Sequence, residues 1–250
     1  MKTILIIFLI FGFHFSFSEE MTFAQKEEKM NLAFKTKSRN GFTRWAVQVL
    51  SADEKNFNAL NKLGVYHLDR GRIVLARIIF ERALKLHPKR AELHHNMGMV
   101  ALKEKDKQEA VLAFEKSLDY NRNYLPSLVS LSSLYMENRS VRALPLLARA
   151  YNQAEESRSW FKIANNYAVS LAWAKEFKQA RKVYRQIQRK NKATSLSLIN
   201  YAILLMEQFK DYSEAEEVLE QADFLAKSKR DHNQIASLRK KISTYKKRRK

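Results

Sequence analysis

The sequence predicts an all-α fold, an α-solenoid in which helix pairs stack along one direction. Three observations predict it. The 250 residues include only five Gly and three Pro, too few for a turn-rich β-sandwich. Apolar residues recur at steps of three and four, which is the period of a helix. The whole pattern also returns about every 34 residues, so each copy is one structural unit that packs on its neighbours.

The first 18 residues have the pattern of a signal peptide. Lys2 precedes an apolar run, and Ser16 and Ser18 form a small-x-small cleavage site. The run is short for a membrane-spanning helix, so we expect the mature chain to begin at Glu19. The alternative is an uncleaved N-terminal membrane anchor. In both cases the rest of the chain is expected to be exported, and after cleavage it would be periplasmic or secreted.

Residues 19–56 also show helical spacing, from Phe23 to Phe34 and again from Phe42 to Leu50. The sequence Ser38-Arg39-Asn40-Gly41 interrupts that spacing. We interpret this segment as an N-terminal helical cap or a degenerate repeat. Such a cap would cover the first apolar face of the stack.

Five copies of the repeat follow in residues 57–225. Each has a small residue in its first helix and an Ala in its second, and a large apolar residue stands four positions after that Ala. The small residue predicts a place where two helices approach closely. The copies are 57–90, 91–124, 125–160, 161–194 and 195–225, and their small residues are Gly64, Gly98, Ser132, Ala168 and Ala202.

This pattern resembles the tetratricopeptide repeat, a helix–turn–helix unit of 34 residues. The sequence departs from the family pattern at the opening Trp, which is Leu60 in the first copy, and at the closing Pro, which is present only as Pro88. The resemblance implies a scaffold that binds proteins. In that family the first helix of each pair lines a concave groove, which holds a helix or an extended segment of a partner.

The resemblance also implies which residues line the groove. Lys and Arg are absent from the inward positions with which chaperone-type members bind a C-terminal carboxylate, so that activity is excluded. An apolar track with Met residues and Trp173 is expected instead, and it suits a partner segment. The alternative is that some of these residues pack against the neighbouring repeat. The predicted groove residues are Asn61, Val65, Leu68, His95, Met99, Leu102, Val129, Met136, Asn165, Val169, Trp173, Ile199, Ile203 and Met206.

Residues 226–250 predict a basic capping helix followed by a tail. The segment Lys227–Lys250 contains eleven Lys and Arg and one Asp, about half of the formal net charge of +20. A cluster of this kind is attracted to acidic lipid. The residues predicted to contact an anionic surface are Lys246, Lys247, Arg248, Arg249 and Lys250.

The sequence contains no motif for catalysis, a cofactor or a metal. Phosphate-binding, dinucleotide-binding, nucleophile-elbow and zinc-protease patterns are absent, and there is no Cys. We therefore predict no enzyme activity and no small-molecule substrate. The predicted function is a protein-interaction scaffold or assembly factor of the bacterial cell envelope. The alternative is charge-driven binding of acidic lipid, lipopolysaccharide or wall polymer, with nucleic acid unfavoured. Salt separates the two, because charge-driven binding weakens steeply as salt rises.

Overall fold

The computed structural model of the protein describes residues 21–155 and 159–247. The predicted signal peptide lies outside these residues, and so do Arg248, Arg249 and Lys250. The described part is helical and has no strand, so the predicted all-α solenoid is confirmed. The helices are α1 (Phe23–Lys35), α2 (Arg39–Ala52), α3 (Phe57–Asp69), α4 (Ile73–Leu86), α5 (Ala91–Lys103), α6 (Lys107–Tyr120), α7 (Leu125–Glu137), α8 (Ala143–Gln153), α9 (Trp160–Trp173), α10 (Phe177–Arg189), α11 (Ser195–Leu204), α12 (Tyr212–Leu225) and α13 (Lys229–Lys247).

Polar side chains mark several helix starts. Thr22 Oγ1 accepts a hydrogen bond from the backbone N–H of Gln25, and Gln25 Oε1 accepts one from the backbone N–H of Thr22. Asp106 and Asp211 cap α6 and α12 in the same way, each accepting from the backbone three residues on. These bonds satisfy amides that have no partner inside the helix.

In the pairs α3–α4 and α5–α6, a large side chain of the second helix packs on a small residue of the first. At Gly98 an added Cβ would lie 2.5 Å from Cε1 of Phe114, and at Gly64 it would lie 2.4 Å from Cε1 of Phe80. Both rings are fully buried. The small residues therefore admit a phenyl ring of the paired helix, whereas the sequence suggested a close approach of two helix backbones.

Two arginines join successive pairs. Arg77 of α4 reaches Glu104 and Glu109 of the next pair, the latter at 2.8 Å. Arg181 of α10 binds Asp211 at 3.1 Å and also Glu214. The hydrogen bonds that Arg77 donates to Glu109 and Glu104 raise the pKa of Arg77 above its usual range. These contacts supplement three apolar clusters, and the partly buried Leu50 and Met99 each pack against two of them.

The turn inside every pair passes through one residue in the left-handed region. These residues have φ between 49° and 71°, and they recur at spacings of 34, 34, 34, 36 and 35 residues. The turn of the α1–α2 pair also contains such a residue, Lys37. The six residues are Lys37, Gly71, Lys105, Arg139, Lys175 and Lys210.

The last pair differs from the others at the end of its first helix. Residues Leu205–Phe209 form a π-helical turn between α11 and the turn at Lys210. The sequence has one extra residue here, since Ala215 follows Ala202 by 13 positions whereas Ala180 follows Ala168 by 12. A π-helical turn accommodates one inserted residue without ending the helix.

Helix α13 closes the stack. It contacts both α11 and α12, and Ile235, Leu238 and Ile242 are buried at that contact. This burial covers the apolar face of the last pair. Within residues 21–155 and 159–247, every helix is too short or too polar to cross a membrane.

Candidate functional site: the inner groove

The first helices of successive pairs form the inner face of the stack. Helix α3 contacts α1 and α5, and α11 contacts α9 and α13. The second helices, such as α4 and α6 or α10 and α12, do not approach one another to the same extent. A stack whose first helices are closer together than its second helices curves with the first helices inside. The predicted groove residues all belong to these first helices or to the π-helical turn.

One accessible part of this face lies between α9 and α11. Val169, Trp173 and Ile203 line a cleft of about 300 Å³ together with Phe177 and Asn200. Trp173 is 37% exposed, which is unusual for so large an apolar side chain. The structure thus brings three predicted groove residues together around an accessible indole, which we name the Trp173 cleft.

A second cleft of about 390 Å³ adjoins it on the C-terminal side. The two share Ile203 and Glu207, so they form one continuous surface. Leu238 and Tyr245 of α13 provide the apolar wall of this second cleft. Its rim is basic, with Lys210, Lys240 and Lys241.

The inward polar residues bind the neighbouring repeat. Asn96 Nδ2 donates to Asn61 Oδ1 at 2.7 Å, and Asn200 Nδ2 donates to Asn165 Oδ1 at 3.2 Å. In both pairs the donor lies one repeat further along the chain. Asn61 and Asn165 therefore link adjacent first helices, a structural role in addition to their place on the groove.

His95 has the equivalent position in the second repeat. Ser117 Oγ donates to the Ala91 carbonyl at 2.8 Å, and Ser127 Oγ donates to Ser117 Oγ at 2.8 Å. Because the Ala91 carbonyl can only accept, each hydroxyl in this series of hydrogen bonds donates toward it. Ser127 Oγ has used its proton, so His95 Nδ1 donates to Ser127 Oγ at 3.0 Å. Burial lowers the pKa of His95 to about 4, so the imidazole is neutral at pH 7.

The remaining predicted groove residues fall into two groups. Three are buried; Met206 lines the second groove cleft, whereas Ile199 and Leu68 line neither cleft. Ile199 is 0% exposed, and the side chains of Leu68 and Met206 are also in the core. The others are half-buried; most of them also pack against the core, as the alternative interpretation expects. They are Val65, Met99, Leu102, Val129 and Met136.

Sequence reasoning missed Phe177 and Tyr245. Phe177 begins α10 and lines the Trp173 cleft. Tyr245 is half exposed and stacks on Tyr212 at 5.4 Å between ring centroids. The signal for Tyr245 was present, because it continues the helical spacing of Leu238 and Ile242 by one more step.

The tail residues that the structure describes lie at the end of α13. Lys246 pairs with Glu216, and Lys247 is exposed. In the part of the chain that is described, no three His, Asp or Glu side chains are grouped so as to hold a metal ion. Glu214, a carboxylate of the last pair, is hydrogen-bonded by Tyr201, Arg181 and Arg185; burial alone would raise its pKa, but these bonds lower it.

Helix pairs that stack in one direction around a groove define an α-solenoid repeat protein. Models of the tetratricopeptide repeat match residues 45–91 and residues 91–124. The second match coincides with the pair α5–α6 and the first extends from α2 through α4. Residues 45–124 therefore consist of tetratricopeptide repeats.

Similar proteins agree with this assignment. The type IV pilus assembly protein PilF of Pseudomonas aeruginosa is 30% identical over 94 residues, which is 37% of this chain and 37% of that protein. The crystal structure of YrrB, described as a TPR protein with an unusual peptide-binding site, has a TM-score of 0.66 at 16% identity, covering 78% of this chain and 97% of YrrB. The structure of P. aeruginosa PilF has a TM-score of 0.58 at 19% identity, covering 77% and 92%.

Proposed function

We propose that this protein is a non-enzymatic scaffold that binds a helix or an extended segment of a partner protein in its inner groove. The observation that carries the proposal is the Trp173 cleft, an apolar surface with an exposed indole. Trp is among the residues that contribute most to protein interfaces. The cleft continues along Ile203 to Leu238 and Tyr245, so an apolar segment can lie across three helices.

The experiment compares two single variants in affinity capture from detergent-solubilised envelope. Trp173→Ala is expected to weaken capture of the partner by about 2 kcal/mol, since a central aromatic anchor typically contributes that much. Phe224→Ala is the matched control, because Phe224 is 90% exposed and lies outside both groove clefts. It should retain the partner. Circular dichroism should be unchanged in both variants.

Two outcomes would contradict the groove proposal. Equal capture by Trp173→Ala and the parent protein would remove Trp173 from the interface. A lower melting temperature for Trp173→Ala would show that its side chain supports the fold. Capture is repeated at low and high salt, because groove binding should persist where charge-driven binding is lost. Loss of every partner at high salt would favour the alternative, in which the basic C-terminal segment attaches the protein to an anionic surface.

We further propose that this scaffold is exported and acts in assembly at the bacterial cell envelope. The similarity to a pilus assembly protein supports this setting, and the pattern of residues 1–18 supports export. N-terminal sequencing of protein recovered from the envelope is expected to begin at or within a few residues of Glu19. Retention of Met1 would instead favour the uncleaved anchor.

A further inference from the structure

The turns inside the helix pairs contain a row of basic residues in left-handed conformation. Five of the six left-handed positions are Lys or Arg, and only the sixth is Gly71. All five basic residues are exposed. We name them the basic turn row; they are Lys37, Lys105, Arg139, Lys175 and Lys210.

Lys and Arg are unexpected at these positions. A positive φ is strained for residues with a Cβ and favours Gly or Asn, as at Gly71 and at Asn191 in a different turn. Attraction to the negative end of a helix favours cations near it. That attraction is available without strain two residues earlier, where Lys35 and Lys103 lie in the last turns of α1 and α5. The dipole alone therefore does not account for cations on the strained residues.

Three of the row cations are followed directly by an acidic residue, namely Asp106, Glu176 and Asp211. None of the five forms an ion pair within the residues that the structure describes. Several nearby carboxylates are bound elsewhere. Glu104 binds Arg77, Glu137 binds Lys107, and Asp211 binds Arg181. The edge thus presents one free cation for each helix pair that contributes to the row.

The row has the form of a line. Each cation lies in the turn inside its own pair, so the five are set along one edge of the stack, with Gly71 at the turn between Lys37 and Lys105. At its C-terminal end the row reaches Lys240 and Lys241, which share the second groove cleft with Lys210.

We propose that the basic turn row binds a flexible linear polyanion that carries repeated phosphate groups. Successive repeats of a solenoid rotate slightly, so a flexible chain can follow all the turns, whereas a flat bilayer would meet only a few. Four of the five cations are Lys, whose compact ammonium recognises charge without requiring a planar partner. No aromatic residue lies in these turns to stack on bases. Lys210 also lines the second groove cleft, but the other four row residues lie outside both groove clefts, and the proposal does not depend on the groove proposal.

The test measures binding of long-chain inorganic polyphosphate at several salt concentrations. One variant changes all five row residues to Gly, which removes five charges and relieves five strained conformations. The matched control changes Lys85, Lys89, Arg122, Lys182 and Lys192 to Gln. These are also four Lys and one Arg, all exposed and with negative φ. The row variant should bind about tenfold or more weakly, with a smaller salt slope, and its melting temperature should be equal or higher. The control should lose less than about threefold.

Further measurements separate the possible ligands. Trp173→Ala should bind polyphosphate as the parent protein does, so failure of the groove proposal is distinguishable from failure of this one. Equal losses in the row and control variants would overturn the proposal in favour of unspecific net charge. Failure of the full chain to bind polyphosphate would also overturn it. The proposal would also be overturned if the row variant lost binding to vesicles of anionic lipid while the parent protein bound no polyphosphate. The ligand of the row would then be a membrane surface.

Discussion

At Gly98 the sequence predicts that a close contact exists, and the structure shows which atoms make it. The 34-residue spacing of small residues predicted a close contact inside each pair, and the contact is present. What approaches Gly98 is the ring of Phe114, with Cε1 2.5 Å from the place where a Cβ would lie. The sequence predicted the position of the contact but not the atoms that approach Gly98, because a small residue can accommodate either a side-chain ring or a helix backbone. The distinction determines how a larger residue is accommodated there.

Replacing Gly98 with Leu is expected to destabilise the protein by about 1–3 kcal/mol or more, since the new side chain must displace a buried ring. Thermal or urea unfolding measures the change. Gly71→Asn is the matched control, because a Cβ at Gly71 meets no atom within 4 Å and Asn tolerates its φ of 71°. An unchanged melting temperature for Gly98→Leu would show that the Gly98–Phe114 contact is misplaced.

Most helices were predictable from the sequence because helical spacing and the repeat period agree. The turns were less so. Gly71 is a recognisable turn residue, but Lys105 and Lys175 carry no left-handed signal of their own. Their left-handed conformation can be predicted only by aligning the repeats with the one that contains Gly71. The extra residue near Ala202 was also visible, although its accommodation as a π-helical turn at Leu205–Phe209 depends on packing that spacing does not describe.

The predicted groove was least accurate where helices beyond the repeat cover it. Ile199 lies on the last first helix, and α13 packs against that helix. Ile199 belongs to the same apolar core as Leu238 of α13. A family pattern assigns groove residues as though each first helix were equally open. Trp173 lies one pair earlier, and its partial exposure fits the pattern.

At the scale of the molecule, charge and stacking act on different parts of the protein. The formal net charge is +20, and basic residues extend over the turns and α13. Stability instead depends on each pair packing on the next, as in other linear repeat proteins. The junctions differ in chemistry. Asn61 and Asn165 link their first helices through amide pairs, whereas His95 links the second and third repeats through Ser127.

This difference predicts a pH-sensitive junction at His95. Burial lowers its pKa to about 4 from an ordinary value of 6.5, so between these values the unfolded chain binds a proton that the folded chain does not. The stability that neutral His95 contributes is complete above about pH 6.5 and is lost as pH falls toward 4. At pH 5 the loss is about 2 kcal/mol. Tyr124 and Phe114 pack against the ring and maintain its burial.

His95→Asn is the appropriate comparison, because Asn already occupies the equivalent positions 61 and 165 and does not titrate. Urea unfolding is measured for both proteins at pH 7 and pH 5. The parent should lose about 2 kcal/mol more than His95→Asn between the two pH values. Since the charge develops at one junction of a linear stack, the parent should also unfold less cooperatively at pH 5, with the repeats on either side separating. Identical pH dependence in the two proteins would mean that His95 is solvated in the folded state and does not join the repeats.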